Sequence, residues 1–150
     1  MKCIIKGLAY ASVLLSSLAC AAMPIADLDA FESGYIGCLK KFDPKCFSKS
    51  FSGHFVPGDT KMEGLLQSFD KFSADWSNGK VFEVHPVDHI ERGKIFDIRT
   101  YFVEREDGAI AGLRVRFRKF KGQWYVYGMT ISSENEMLNE IRDKGAACAK

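Results

Sequence analysis

The chain has 150 residues, 47% of them hydrophobic, with 21 Lys and Arg against 19 Asp and Glu. Lys2 and Lys6 sit in the amino-terminal segment, so the rest of the chain carries as many basic as acidic residues. A neutral domain has no net electrostatic drive toward nucleic acid or an anionic membrane surface, which excludes both as expected partners.

The first element is Lys2 and Lys6, then an uncharged apolar run from Leu8 to Leu18, then Ala19-Cys20-Ala21-Ala22. Positive, apolar and small-residue regions in that order read as a cleavable signal peptide over 1–22. The run of about 11 apolar residues is short of the roughly 20 that span a bilayer. A retained anchor or a buried helix is the competing reading. Lipid attachment at Cys20 is a further alternative, although Ser17 occupies the position where such sites usually have leucine. The expected location is therefore exported, periplasmic or secreted, with no membrane span in the mature form. Residues 23–143 are the expected domain and 144–150 a polar tail.

Apolar residues at Ile25, Leu28, Phe31, Tyr35, Cys38, Leu39 and Phe42 recur at helical spacing, which predicts a helix over Pro24–Phe42. Asp43-Pro44 is a cap followed by proline at the first helical position, so a short helix burying Phe47 and Phe51 follows. Thr60-Lys61-Met62-Glu63 is a capping box that opens a third helix, through Leu65, Leu66, Phe69, Phe72 and Trp76 to Asn78-Gly79. In an oxidising compartment Cys38 and Cys46, either side of the Asp43-Pro44 turn, are expected to form a disulfide, with Cys148 left over.

After Gly79 the period becomes two. Strands are predicted at Lys80–Glu91, Lys94–Arg105, Ala109–Phe120 and Gln123–Ser132, joined by turns too short for anything but antiparallel hairpins. Ser133-Glu134-Asn135-Glu136 is a second capping box that starts a short last helix. The fold class is α+β: three helices, a four-stranded antiparallel meander, one helix. Parity puts Phe82, Val84, Ile90, Phe96, Ile98, Phe102, Leu113, Val115 and Phe117 on the helix-covered face. The open face then carries Glu83, His85, His89, Asp97, Arg99, Tyr101, Arg114, Arg116 and Arg118.

This element order, with the closing strand Lys121-Gly122-Gln123-Trp124-Tyr125-Val126-Tyr127-Gly128-Met129-Thr130-Ile131, resembles the nuclear transport factor 2-like (cystatin-like) superfamily, whose small exported bacterial members often end in a Gly-x-Trp-x-Val strand. The resemblance covers nearly all of the mature chain. It implies a sheet curved into a cone around a pocket. It implies little about function, because that fold serves enzymes and binding modules alike.

The chemistry candidates are few. There is no His-Glu-x-x-His and no Cys-x-x-Cys. His85 and His89 on an unbroken strand stand about 13 Å apart. No metal and no cofactor are expected. Isomerase-like members of the resembled fold place Asp, His and Tyr in the pocket, and here Asp88 has core-facing parity while His54 lies in a loop near the mouth. A bulge at Pro86 would instead return Asp88 to solvent, and a surface position is the plainer reading of His54. Arg99, Tyr101, Arg114, Arg116 and Arg118 read either as a solvated face or as an interaction face, through which a homodimer would form. The helix and sheet aromatics are expected to fill most of the cone. The reading is an exported, non-catalytic binding or interaction module for an unidentified small ligand or protein. The alternatives are a cofactor-free acid–base enzyme, of isomerase, cyclase or dehydratase type, on a small apolar substrate, and an accessory of an envelope or secretion assembly.

Overall fold

The computed structural model describes residues 22–59, 64–67, 69 and 81–139. The leader except its last residue, the capping box at Thr60, Phe72, Trp76, Asn78-Gly79, the polar tail and Cys148 lie outside the described residues.

Helix α1 spans Leu28–Lys40 and begins where Asp27 accepts hydrogen bonds from the amides of Asp29 and Ala30 at 2.8 and 3.0 Å. That carboxylate satisfies amides that no helical carbonyl reaches. The helix starts later than Pro24 because the chain before it does something else: the Ile25 amide donates to the Trp124 carbonyl at 2.8 Å. Helix α2 spans Pro44–Phe51, with Asp43 accepting from the Cys46 amide at 2.9 Å. The turn between them brings Cys38 and Cys46 to a Cα separation of 5.5 Å, and they form the expected disulfide. Residues 64–67 and 69 belong to α3, and residues 134–139 to α4. The Ser133 amide and hydroxyl both donate to Glu136, at 3.0 and 3.1 Å, which is the capping box read from the sequence.

Strands β1 (Val81–Arg92), β2 (Phe96–Arg105), β3 (Ile110–Phe120) and β4 (Gln123–Ser133) form an antiparallel sheet in that order. Helices followed by a meander and a short last helix is the element order expected from the sequence, and the sheet is open. Each edge strand is protected from further pairing. Beside β4 lie Ile25 and the segment around Phe55, where the Val126 amide donates to the His54 carbonyl at 2.8 Å. Strand β1 is interrupted by Pro86 and by two register shifts, at Val81/Glu83 and Pro86/Asp88. Covering, proline and bulges are the usual ways of blunting an edge.

The core lies between the helices and one sheet face. Tyr35, Phe47, Phe51, Val115, Phe117 and Val126 are completely buried there. Phe47 stacks on Phe69 with ring centroids 4.0 Å apart and meets Phe51 at 4.8 Å. The apolar space left beside them is about 30 Å³, the room of roughly one water. Aromatic filling of this part agrees with expectation.

The assignment of faces on β2 does not. Cross-strand pairing sets Asp97 opposite Phe117, Arg99 opposite Val115, and Tyr101 opposite Leu113. Asp97, Arg99, Tyr101 and Val103 are therefore the helix-facing set and are buried, whereas Phe96, Ile98 and Phe102 stand on the other face, half-buried. Sequence parity assigns the apolar side of a strand to the helices. Here α1 presents a carboxylate and a tyrosine to β2, and the polar side faces inward.

The other sheet face is partly covered by α4. Met137, 1% exposed, seats on Gly112, where a Cβ would stand 2.4 Å from its methyl carbon. Arg114 is buried beside it, its guanidinium 3.3 Å from the Thr100 hydroxyl.

Candidate functional site

The site is built by a bulge. On β1, Pro86 is opposite Tyr101 but Asp88 is opposite Thr100, so Val87 is an extra residue. Past it the parity of the strand reverses. His89 now pairs with Arg99 and Glu91 with Asp97, both on the helix-facing side, while Asp88 goes to the opposite set. His85 and His89, expected to share a face, are on opposite faces. His85 pairs instead with Glu104, its Nε2 donating at 2.8 Å.

Three elements meet at this end of the sheet. From α1 come Asp29, Glu32 and Tyr35; from β2, Asp97, Arg99 and Tyr101; from β1, His89 and Glu91. The Arg99 Nε donates to Asp97 Oδ1 at 3.0 Å, and its two terminal nitrogens donate to Asp29, at 2.8 Å, and to Glu32. Arg99 also reaches the Leu28 carbonyl at 3.4 Å. One buried guanidinium thus ties the first turn of α1 to the sheet. The second oxygen of Asp97 accepts from His89 Nε2 at 2.9 Å, and Glu91 lies 4.0 Å from the same nitrogen.

The tyrosines extend the network inward. Tyr101 donates its hydroxyl proton to Glu32, so the bond of 2.9 Å between the two tyrosine oxygens takes its proton from Tyr35. Burial is the main reason why both phenols ionise well above the ordinary tyrosine range. The neighbouring Tyr35 hydroxyl and the bond to Glu32 raise Tyr101 further. Burial alone would weaken the Arg99 charge, but its hydrogen bonds to Asp97 and Asp29 and the surrounding carboxylates more than reverse this, so its pKa is raised. The network is thus a fixed cation among carboxylates, closed off by two neutral phenols.

Between α1 and the bulge lies an open cavity of about 330 Å³, lined by Asp29, Glu32, Asp88, His89, Arg99 and Tyr101 with Pro86 and Val87. This is within the size range of small-ligand pockets.

Of the two acid–base candidates, Asp88 is half-buried in this lining. His54 is not part of it: its Nδ1 donates to the Met23 carbonyl at 2.9 Å and its ring meets Phe31 edge-on at 5.2 Å. The two are therefore not brought together. The expected interaction face is divided. Arg99 and Tyr101 belong to the network under α1, because β2 faces the other way round. Arg114 lies beneath Met137. Arg116 and Arg118 remain on the open face, half-buried, where Arg116 donates to Thr130 at 2.7 Å and Arg118 lies over the Tyr127 ring. Among the described residues no helix is long and apolar enough to cross a membrane.

Glu32, Asp29 and Glu91 do not stand out in the sequence as site residues, and Asp97 does only as a member of the charged face that also carries the arginines. A signal was present for Glu32: it falls between Leu28 and Tyr35 at helical spacing, on the buried stripe of α1. A carboxylate there needs a buried partner, and Arg99 is that partner.

No protein-family model matches the chain, and no curated protein matches it in sequence. Solved structures do show similarity. One is a DUF4783 family protein from Bacteroides ovatus, at 15% identity, covering 67% of this chain and 93% of that one, with a TM-score of 0.48. A DUF4783 family protein from Bacteroides uniformis matches at 14% identity over 67% of this chain and 94% of that one, TM-score 0.45. Aln2 from a Streptomyces species matches at 11% identity over 75% of this chain and 92% of that one, TM-score 0.46.

Proposed function

We propose that this protein is a non-catalytic binding module whose ligand site is the open cavity between α1 and the β1–β2 hairpin. The observation that carries the reading is the state of the groups around it. Arg99, Glu32, Tyr101 and Tyr35 are all engaged with one another. Acid–base catalysis needs a base within reach of substrate and a donor for the developing charge. Here the donors are spent on internal carboxylates. The cavity instead offers Asp29 and Glu32 on its α1 side, with Asp88 at its rim beside the bulge, against one guanidinium shared among three carboxylates. That surplus favours a small ligand carrying an amine or several hydrogen-bond donors.

The same proposal places the protein outside the cytoplasm. The leader pattern and the Cys38–Cys46 bridge support that, since disulfides persist in oxidising compartments. Intact mass of the exported protein is expected to begin near Ala22 or Met23.

The cavity reading is tested by amide chemical-shift mapping with a panel of small amines and neutral polyols. Shifts confined to residues 29–32, 86–89 and 99–101, and abolished by Asp88→Asn, support it. Shifts that cluster elsewhere, or consumption of any bound compound, overturn it.

A further inference from the structure

We propose that the tip of the β1–β2 hairpin binds one divalent transition-metal ion through His89, Glu91 and Asp97. The proposal stands apart from the cavity reading, since an ion can bind there whether or not the cavity takes an organic ligand.

The register carries the argument. His89 and Glu91 are two apart on one strand and so share a face, and Asp97 is directly opposite Glu91 on the next strand. One donor atom from each residue lies within 4.8 Å of the other two. Nε2 of His89 is 2.9 Å from Asp97 Oδ2 and 4.0 Å from Glu91 Oε1. Donors held at 2.0–2.2 Å around a tetrahedral ion stand about 3.3 Å apart. The first pair must open slightly and the second close slightly, which side-chain rotation allows for exposed His89 and Glu91. Neutral His89 offers its Nε2 lone pair once the ring proton sits on Nδ1.

Asp97 is already positioned for the role. It is buried, Arg99 Nε holds its Oδ1 at 3.0 Å, and its Oδ2 faces His89 Nε2 at 2.9 Å with a longer contact of 3.5 Å from Arg99 Nη2. An outer hydrogen bond of this kind orients ligating carboxylates in metal sites. Arg99 would repel a cation if its charge were uncompensated. Asp29 and Glu32 compensate it from the α1 side. Asp97 shares in that compensation, so the surplus of these three carboxylates over the one guanidinium, with Glu91 added, is what attracts an ion. One imidazole and two carboxylates suit zinc, nickel or copper better than calcium, which prefers an all-oxygen shell of six or more donors. Three protein donors leave the fourth position of a tetrahedral ion open.

The test is calorimetric titration of the full chain with zinc alone, any reactive thiol alkylated, and cobalt as a spectroscopic substitute. One equivalent is expected to bind, with tetrahedral cobalt absorption. His89→Ala and Glu91→Gln are expected each to weaken binding by more than the ~10–100-fold that loss of an outer-shell partner costs. His89 and Glu91 side chains are 50% and 71% exposed, so these variants keep the fold, which an unchanged metal-free melting temperature verifies. His85→Ala and Asp88→Asn leave zinc binding unchanged, and Asp88→Asn keeps this outcome separate from failure of the cavity reading. Absence of saturable binding, or zinc affinity unaltered in His89→Ala, overturns the proposal.

Discussion

The helix–sheet interface has two ends made by opposite means. At one end Phe47 packs ring on ring with Phe51 and Phe69, and the apolar space beside Phe47 is about 30 Å³. At the other, Arg99 is held among Asp29, Glu32 and Asp97 beside an open cavity of about 330 Å³. Apolar burial is non-directional and closes whatever gap it can. A buried charge demands partners in fixed places. The aromatic end accounts for stability, and the ionic end is the part with chemistry to offer a ligand.

The largest expected effects separate the two ends. Phe47→Ala removes a fully buried ring and is expected to cost about 3–5 kcal/mol in denaturant unfolding. Arg99→Ala is expected to cost about as much, because it leaves Asp97 buried without its partner. The ends differ in how they can be rescued. Replacing both charges in Arg99→Met/Asp97→Leu is expected to recover most of the loss, since a buried ion pair often contributes little beyond an apolar pair of similar volume. No second change at Asp97 rescues Phe47→Ala. A double variant at the ionic end as unstable as Arg99→Ala would mean that the network is a stability device after all.

Reduction of the Cys38–Cys46 bridge comes next. Loop-closure arithmetic for a separation of 8 residues gives about 2.5 kcal/mol, read as a lower denaturation midpoint after reduction or in Cys38→Ser/Cys46→Ser. Gly112→Ala follows, since its Cβ would stand 2.4 Å from Met137 and would push α4 off the sheet. Overpacking of that kind costs about 1–3 kcal/mol. Loss of amide protection in residues 134–139 with the rest of the sheet unchanged is the expected signature.

Alkaline pH gives the smallest and most local effect. Unfolded tyrosine ionises near its model value of 10.0, while Tyr35 and Tyr101 in the fold ionise only well above it. A raised folded pKa contributes stability that is complete below the unfolded value. Stability is therefore expected to be level up to about pH 10 and to fall as pH rises beyond it, less steeply in Tyr101→Phe. Phenolate absorbance should show two tyrosines titrating only with unfolding. Native titration of every tyrosine near pH 10 would contradict the buried pair.

Much of the architecture was legible because it rests on short-range signals. Asp43-Pro44 started α2 and Ser133 with Glu136 started α4, and the tight turns set the order of the strands. The disulfide was legible from the leader-like start of the chain and the Asp43-Pro44 turn between Cys38 and Cys46. The faces of β1 and β2 were not. On β2 the apolar side, Phe96, Ile98 and Phe102, was the natural one to turn inward, and only the partners on α1 decide otherwise. On β1 a single extra residue reversed the parity, and proline at 86 marks that a bulge is permitted without saying where the extra residue sits. Asp88 and His54 stand out in the sequence by residue type alone, and the structure does not bring them together. What assembled the site was the placement of Glu32 on the buried stripe of α1 and of Arg99 beneath it.

The central claim is that the bulge at Pro86–Asp88 turns His89 and Glu91 toward Arg99 and Asp97. Cross-strand nuclear Overhauser contacts between backbone protons test it most directly. The account predicts that Val84 lies opposite Val103 and Pro86 opposite Tyr101, while His89 lies opposite Arg99. A strand running without a bulge from the His89–Arg99 pair would place Val84 opposite Glu104, and that result would contradict it.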